Sequence, residues 1–434
     1  MRTESELDGD TKMKIPKTFA SLGFKYYRYL WISSALANSG QYSFTVAASW
    51  LIFSLSDSTA LVGTAVFATM IPGVLFGPII GVLVDRYDRR KLLTTALFFN
   101  ACNTGCLALL SILGFITPWV IITSAFFLGI CFNLQNTCTN ATMPGLIPKN
   151  TLYNATALQG TISHGAGFLG SAMASPLLVF VGPESVFALC CLLYTGAGIQ
   201  SLWIRTNQST SSLGNLNARN FFQPIIEGFA YIRKTPALGL LIVMVFFHCL
   251  LTMAYTSLLP QFIRDDLGAD SGIYGSLMMF IGLGAILGNL STASISTPRG
   301  QGILYIITAL ASGVSLFLLG LTNTALLAFI VGLTVGASQA VFMAINLSFV
   351  LQRANDVFRG RVASVNFILA SGAMAIGNFV YGSLSKFIPP KINMLSTGGT
   401  FVILTIVLLL ISPTLRSLYK KTEQVKEKQV TSVV

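Results

Sequence analysis

Amides and hydroxyls recur along this 434-residue chain at spacings that would aim them together. Ser34, Asn38, Gln41 and Thr45 step by four, three and four, so on a helix they share one face. Asn133, Asn136, Thr137 and Asn140 form a second such stripe, and His248, Thr252, Tyr255 and Thr256 a third. Gln339, Asn346, Ser348 and Gln352 form the fourth, with the aromatics Tyr42, Phe132 and Phe342 set among them. Groups of these types make and release hydrogen bonds to a ligand without breaking covalent bonds. No nucleophile stands beside a base, and no paired carboxylates or metal-ligand clusters accompany the stripes. The chain is therefore not expected to be an enzyme, and neither a metal nor a cofactor is expected.

A second group of residues could work as a charged switch. Gly81-Val-Leu-Val-Asp85-Arg86-Tyr-Asp88-Arg89-Arg90-Lys91 places acids and bases in a short polar interval, and Arg359-Gly-Arg361 opens a later apolar stretch. A helix N-terminus carries partial positive charge, to which Arg359 and Arg361 add whole charges, so an acid would be attracted there.

The elements that must position these residues are apolar. Mean hydropathy is +0.72 and charged residues make up only 10% of the chain, which excludes a soluble globular domain and a disordered chain. Twelve long apolar stretches lie at 28–55, 58–83, 91–114, 117–146, 152–181, 184–204, 236–263, 270–295, 301–322, 323–350, 361–386 and 394–415, with no charged residue near any centre. A bilayer core needs about 20 helical residues to cross, and lipid offers no partner to a bare backbone group, so helices are required. The expectation is an all-α membrane protein of twelve transmembrane helices in two six-helix halves. With both termini on one side, that side collects all but three of the 27 basic residues, the exceptions being Arg264, Lys386 and Lys391. Basic loops stay in the cytoplasm, so both termini are expected there, in a multi-pass protein of the cytoplasmic (inner) membrane. The net charge of +12 is spread over loops without interleaved aromatics, so no nucleic-acid partner is expected.

The domain reading follows: a cytoplasmic tail over 1–27, a first half over 28–204, a linker over 205–235, a second half over 236–415 and a tail over 416–434. Phe222, Ile225, Ile226, Phe229 and Ile232 recur at helical spacing in the linker, which predicts an amphipathic surface helix. A repeat is visible as well. Gly63 matches Gly275 at an offset of 212, and Gly165 and Gly170 match Gly372 and Gly377 at an offset of 207. Gly165-Ala-Gly-Phe-Leu-Gly170 has the spacing of a dinucleotide fingerprint, but it lies inside an apolar span and predicts helix packing instead. All seven cysteines fall in spans, where they behave as small hydrophobes. Amide stripes facing lipid would be costly, so the four are expected to converge on a shared polar cavity formed by Asn38, Gln41, Tyr42, Asn133, Asn136, Asn140, His248, Thr252, Tyr255, Gln339 and Asn346.

The segment from Gly81 to Lys91 resembles the loop signature of the major facilitator superfamily. Pro144-Gly-Leu-Ile-Pro through Leu158, and Leu351-Gln-Arg through Val362, are similar to loops of its branch of enterobactin exporters and macrolide efflux pumps. The resemblance implies twelve helices rocking about a central site, with a gate of Gly81, Asp85, Arg86, Arg89, Arg359 and Arg361. It also implies efflux of a small amphipathic organic molecule, such as a siderophore-like metabolite, a macrolide or another drug, by a chain expected to act as a monomer in the lipid bilayer. Three positions depart from that branch: Gly40-Gln41 replaces an acid after the glycine, Gly167 stands where an arginine is usual, and Gly170-Ser171 replaces Gly-Pro. His164 and His248 are then the groups within spans that titrate near neutral pH and could carry a coupling proton, His248 preferred for its stripe. Two other readings are uptake or flipping of a lipid-type solute, and a non-transporting receptor or scaffold.

Overall fold

The computed structural model describes residues 17–148, 151–205, 219–292 and 297–413. Residues 1–16 of the expected tail over 1–27, residues 206–218 of the polar linker and the whole expected tail over 416–434 lie outside the described residues. Those described form helices and no strand. The first half comprises α1 (Lys25–Ser56), α2 (Thr59–Arg86), α3 (Arg89–Ile112), α4 (Pro118–Thr142), α5 (Leu152–Phe180) and α6 (Pro183–Leu202). The linker helix is α7 (Arg219–Lys234). The second half holds α8 (Pro236–Leu251), α9 (Ser271–Thr292), α10 (Pro298–Leu321), α11 (Ala325–Arg353), α12 (Arg359–Leu384) and α13 (Pro390–Ile411).

Side chains start several of these helices. Asp88 caps α3 by accepting from the backbone N–H of Arg90 at 2.9 Å and of Lys91 at 3.2 Å, and Thr117 and Thr324 cap α4 and α11. Each satisfies a donor that the first helical turn leaves unpaired.

The expected count of twelve spans needs a qualification. Ten helices are long and apolar enough to cross a bilayer, and an eleventh is reached only by joining α7 to α8, which meet at 112°. α1 has the length, 32 residues, but its Ser, Asn and Gln dilute its apolar character. α8 is only 16 residues long because it breaks. Residues 252–258 form turns, followed by a short helix over Leu259–Gln261 and a wider turn over Phe262–Asp266. Pro260 falls in the first turn of that short helix, where its missing N–H leaves no helical bond unmade.

The glycine repeat reappears as matched contacts. A Cβ on Gly63 of α2 would sit on the Asn378 carbonyl oxygen of α12, and one on Gly275 of α9 would lie 2.6 Å from Ser175 Cβ of α5, so both glycines seat across the two halves. Gly165 and Gly372 also face the opposite half, at 4.0 Å from Ile286 and 3.8 Å from Val74. Gly170 and Gly377 instead seat on the first helix of their own half, at 2.5 Å from the Ser39 carbonyl and 2.5 Å from Ala254 Cβ. The dinucleotide-like run is therefore a packing surface of α5. Between membrane helices, where no hydrophobic drive favours association, such close backbone approach supplies the attraction.

Candidate functional site: a bundle joined at one end and parted at the other

Two ends of the bundle can be distinguished, a basic end holding the 86–88 loop and the starts of α8 and α12, and a far end holding residues 57–58 and 262–270. The far end is closed. Asp57, held in a left-handed conformation at φ 51°, meets Arg264 at 2.6 Å, and the Arg264 guanidinium lies 4.3 Å over the Phe53 ring. The Arg264–Asp265 and Arg264–Asp57 contacts raise the guanidinium's pKa, so it stays charged. Thr59 donates to Gln261 at 2.6 Å, and Trp50 stacks on Tyr274 at 5.7 Å. All of these contacts except Arg264–Asp265 join the first half to the second.

At the basic end the halves part. The register that sets Ser175 against Gly275 and Phe168 against Gly282 would bring Gly160 opposite Leu290. A Cβ on Gly160 nonetheless meets nothing within 4 Å, and Leu290 is 59% exposed. Gly81 of α2 and Gly360 of α12 are equally clear of neighbours. Asp85 is 56% exposed, and its ion pair among the described residues is with Arg89 at 3.7 Å, within its own half. Arg89 also donates to the Ala141 carbonyl at 2.6 Å, tying α3 to α4. Across the opening, Arg359 pairs with Asp356 at 2.7 Å and donates to the Leu351 carbonyl. Arg361 pairs with Glu227 of α7 at 2.7 Å, while Tyr231 of α7 stacks on Phe358 at 4.5 Å. The residues expected to form a gate thus sit on both lips of the opening, the Asp85–Arg89 pair on one and the Arg359–Asp356 and Arg361–Glu227 pairs on the other, and Arg86 lies half-buried beside them.

The stripe residues divide into two groups. Tyr42 is 36% exposed and lies against Gly167. Along α4, Asn133 and Asn136 are half-buried and Asn140 is exposed, so this face gains access toward the basic end. Of the rest, Thr45, Thr137, Thr256 and Ser348 are half-buried and Gln352 is exposed, while the others are buried, and the bonds of these buried residues stay within their own half. Asn38 donates to the Ser34 carbonyl at 2.7 Å, and Gln41 accepts from the Tyr194 hydroxyl of α6 at 3.3 Å. His248 is fully buried, stacked on Phe342 at 4.1 Å, with its Nε2 3.0 Å from the Ser312 hydroxyl. Asn346 accepts from the Tyr305 hydroxyl at 2.9 Å and donates to Asn366. Gln339 donates to the Thr252 carbonyl at the break after α8, at 2.6 Å, and Tyr255 is buried in that break. The side chain of His164 lies outside the described residues. Asn378 was missed in the sequence, although Ser371 and Ser385 lie one heptad to either side of it, and it bonds to two residues of the break.

A bundle of two matched halves, joined at one end and parted at the other, is an architecture shared with solved membrane transporters. The nucleoside transporter NupG has a TM-score of 0.73 at 14% identity, covering 91% of this chain and 100% of that one. A peptide transporter POT variant reaches 0.74 at 12% identity, covering 96% and 100%. The chain belongs to the major facilitator superfamily, in the family described as transmembrane secretion effector, whose model matches residues 16–432. Among relatives, macrolide efflux protein A of Streptococcus pyogenes is 23% identical over 75% of this chain and 82% of that protein. The enterobactin exporter of Shigella dysenteriae is 24% identical over 86% and 88%, and the staphyloferrin A transporter of Staphylococcus aureus is 22% identical over 81% and 88%. The protein is a membrane transporter and not an enzyme.

Proposed function

We propose that this transporter exports a small amphipathic organic molecule by alternating access. In this reading it lies in the inner membrane as a monomer, with both termini and the basic end in the cytoplasm. The observation that carries the reading is the seam: the far end is joined by glycine contacts and one exposed ion pair, while the basic end stands parted with its charged residues bonded on their own sides. A ligand entering from the basic end would meet Tyr42 and the Asn133–Asn136–Asn140 face, hydrogen-bonding groups without a fixed charge, which suits a neutral or zwitterionic solute. Relatives named for macrolides, enterobactin and staphyloferrin A support outward transport of such molecules.

The test compares culture supernatants and cell extracts from deletion and overexpressing strains, under iron limitation and in rich medium. An exporter depletes its substrate from cells on overexpression and retains it on deletion. Greater uptake on overexpression would indicate an importer, and no difference for any compound would favour a receptor or scaffold. Asp85→Asn separates these further: it should slow a carrier, whose states it biases, and leave a scaffold unaffected.

A further inference from the structure

Asn378, on α12, is buried at a junction of three elements. Its side-chain oxygen accepts from the backbone N–H of Ser257 at 3.0 Å and from the Thr256 hydroxyl at 2.8 Å. Its backbone carbonyl accepts from the Ser257 hydroxyl at 3.1 Å, and its amide donates to the Met374 carbonyl at 2.9 Å, which fixes the rotamer. Thr256 and Ser257 lie in the broken stretch after α8. A backbone N–H released from a helix inside the membrane must find a partner, and Asn378 supplies one. Its neighbour Gly377 packs on Leu250 and Ala254, so consecutive residues of α12 touch the end of α8 and the break itself.

The same residue faces the opposite half. Gly63 of α2 seats directly on the Asn378 carbonyl, the oxygen that also accepts from Ser257, and a Cβ on Gly382, one turn on, would lie 2.7 Å from the Thr59 carbonyl oxygen. The α2–α12 contact that closes the far end and the bonds that shape the break therefore meet at one peptide group. At the other edge of the break, Gln339 holds the Thr252 carbonyl.

We propose that Asn378 is the positioning residue that couples closure of the far end to the shape of the broken stretch 252–258. With α2 seated on α12, Asn378 holds Thr256 and Ser257, and with them Thr252 and Tyr255, in one arrangement. When α2 lifts away, the Asn378 peptide group shifts and the break rearranges, so the buried core of the second half registers which end is open. The inference rests on the alternating-access reading, but its test needs no substrate.

The experiment places spin labels in a cysteine-free background, in the full-length protein in lipid nanodiscs. One pair spans the far end at Leu55 and Phe387, and the other spans the basic end at Tyr87 and Val357, all four being exposed. Asn378→Ala is expected to shift at least half of the far-end population to longer distances and to shorten the basic-end distances. Thr256→Val and Ser257→Ala, which each remove one donor and spare the fold, are expected to give smaller shifts in the same direction. Thr256→Val should not add to the shift in an Asn378→Ala background, because the bond it lacks is already gone, whereas Ser257→Ala should still add to it, because the backbone carbonyl that its hydroxyl serves survives that substitution. Unchanged far-end distances in the single variants, or a Thr256→Val effect that simply adds in the double, would overturn the proposal. A wild type that shows both states yet exports no compound would instead remove the export reading and leave the coupling intact.

Discussion

At the scale of single residues, the polar groups here do two different jobs that look identical in a sequence. Gln339 is one of the buried ones. Its amide serves the Thr252 carbonyl, which the break has stripped of its helical partner, and Gln339→Leu would leave that oxygen unpaired. A buried polar group without a bond costs about 1–3 kcal/mol, so Gln339→Leu should lower the melting temperature of the purified protein by several degrees. An unchanged melting temperature would mean that the carbonyl finds water. Helical spacing revealed that Gln41, His248, Gln339 and Asn346 lie on shared faces with their stripe neighbours. It could not reveal which neighbour each face meets, because periodicity fixes direction around one axis and carries no information about the helix opposite. The buried stripes turned out to hold each half together, whereas Tyr42 and the α4 asparagines kept open surface.

At the scale of elements, glycine decides how closely helices approach. The contact of α2 on α12 has no room at Gly63, so Gly63→Ala must push the two helices apart or force a shift of the Asn378 peptide. Overpacking of this kind costs about 1–3 kcal/mol, and the cost falls only on the state in which the far end is closed. The variant should therefore remain folded while favouring the opposite state, seen as raised labelling of far-end cysteines by a water-soluble reagent and reduced labelling at the basic end. Matching glycines at offsets 212 and 207 made these seams partly legible, since each glycine and its repeat partner contact equivalent elements. The break after α8 left a fainter trace, Pro260 behind a run of Thr, Tyr, Thr and Ser, and the expected span over 236–263 passed over it. Apolar run length detects a membrane crossing, not whether the helix within it is continuous. The linker helix was legible from its apolar spacing, but its bond to α12 through Glu227 and Arg361 depends on a fold-wide approach that no local pattern encodes.

At the scale of the whole molecule, the far-end pair of Asp57 and Arg264 joins the halves directly. Both side chains are exposed, at 73% and 43%, so the pair contributes only about 0.2–1 kcal/mol. Asp57→Asn should accordingly shift the balance between states by less than about sixfold, and the shift should shrink as salt is raised, measured with the same labels. A much larger or salt-independent effect would show that Asp57 also holds the left-handed turn at the end of α1. The charge asymmetry between the two ends and the two-half organisation were clear from the sequence, because they are sums over many residues. The parting of the halves was not, since the same sequence must be compatible with either end open.

The exposed latch between Asp57 and Arg264 has a consequence beyond its own strength. Ions in the surrounding fluid weaken it, so the medium outside the cell would help set which way the empty protein rests. In dilute surroundings it would wait facing the cytoplasm, ready to load, and in brine it would idle more often with its mouth turned outward.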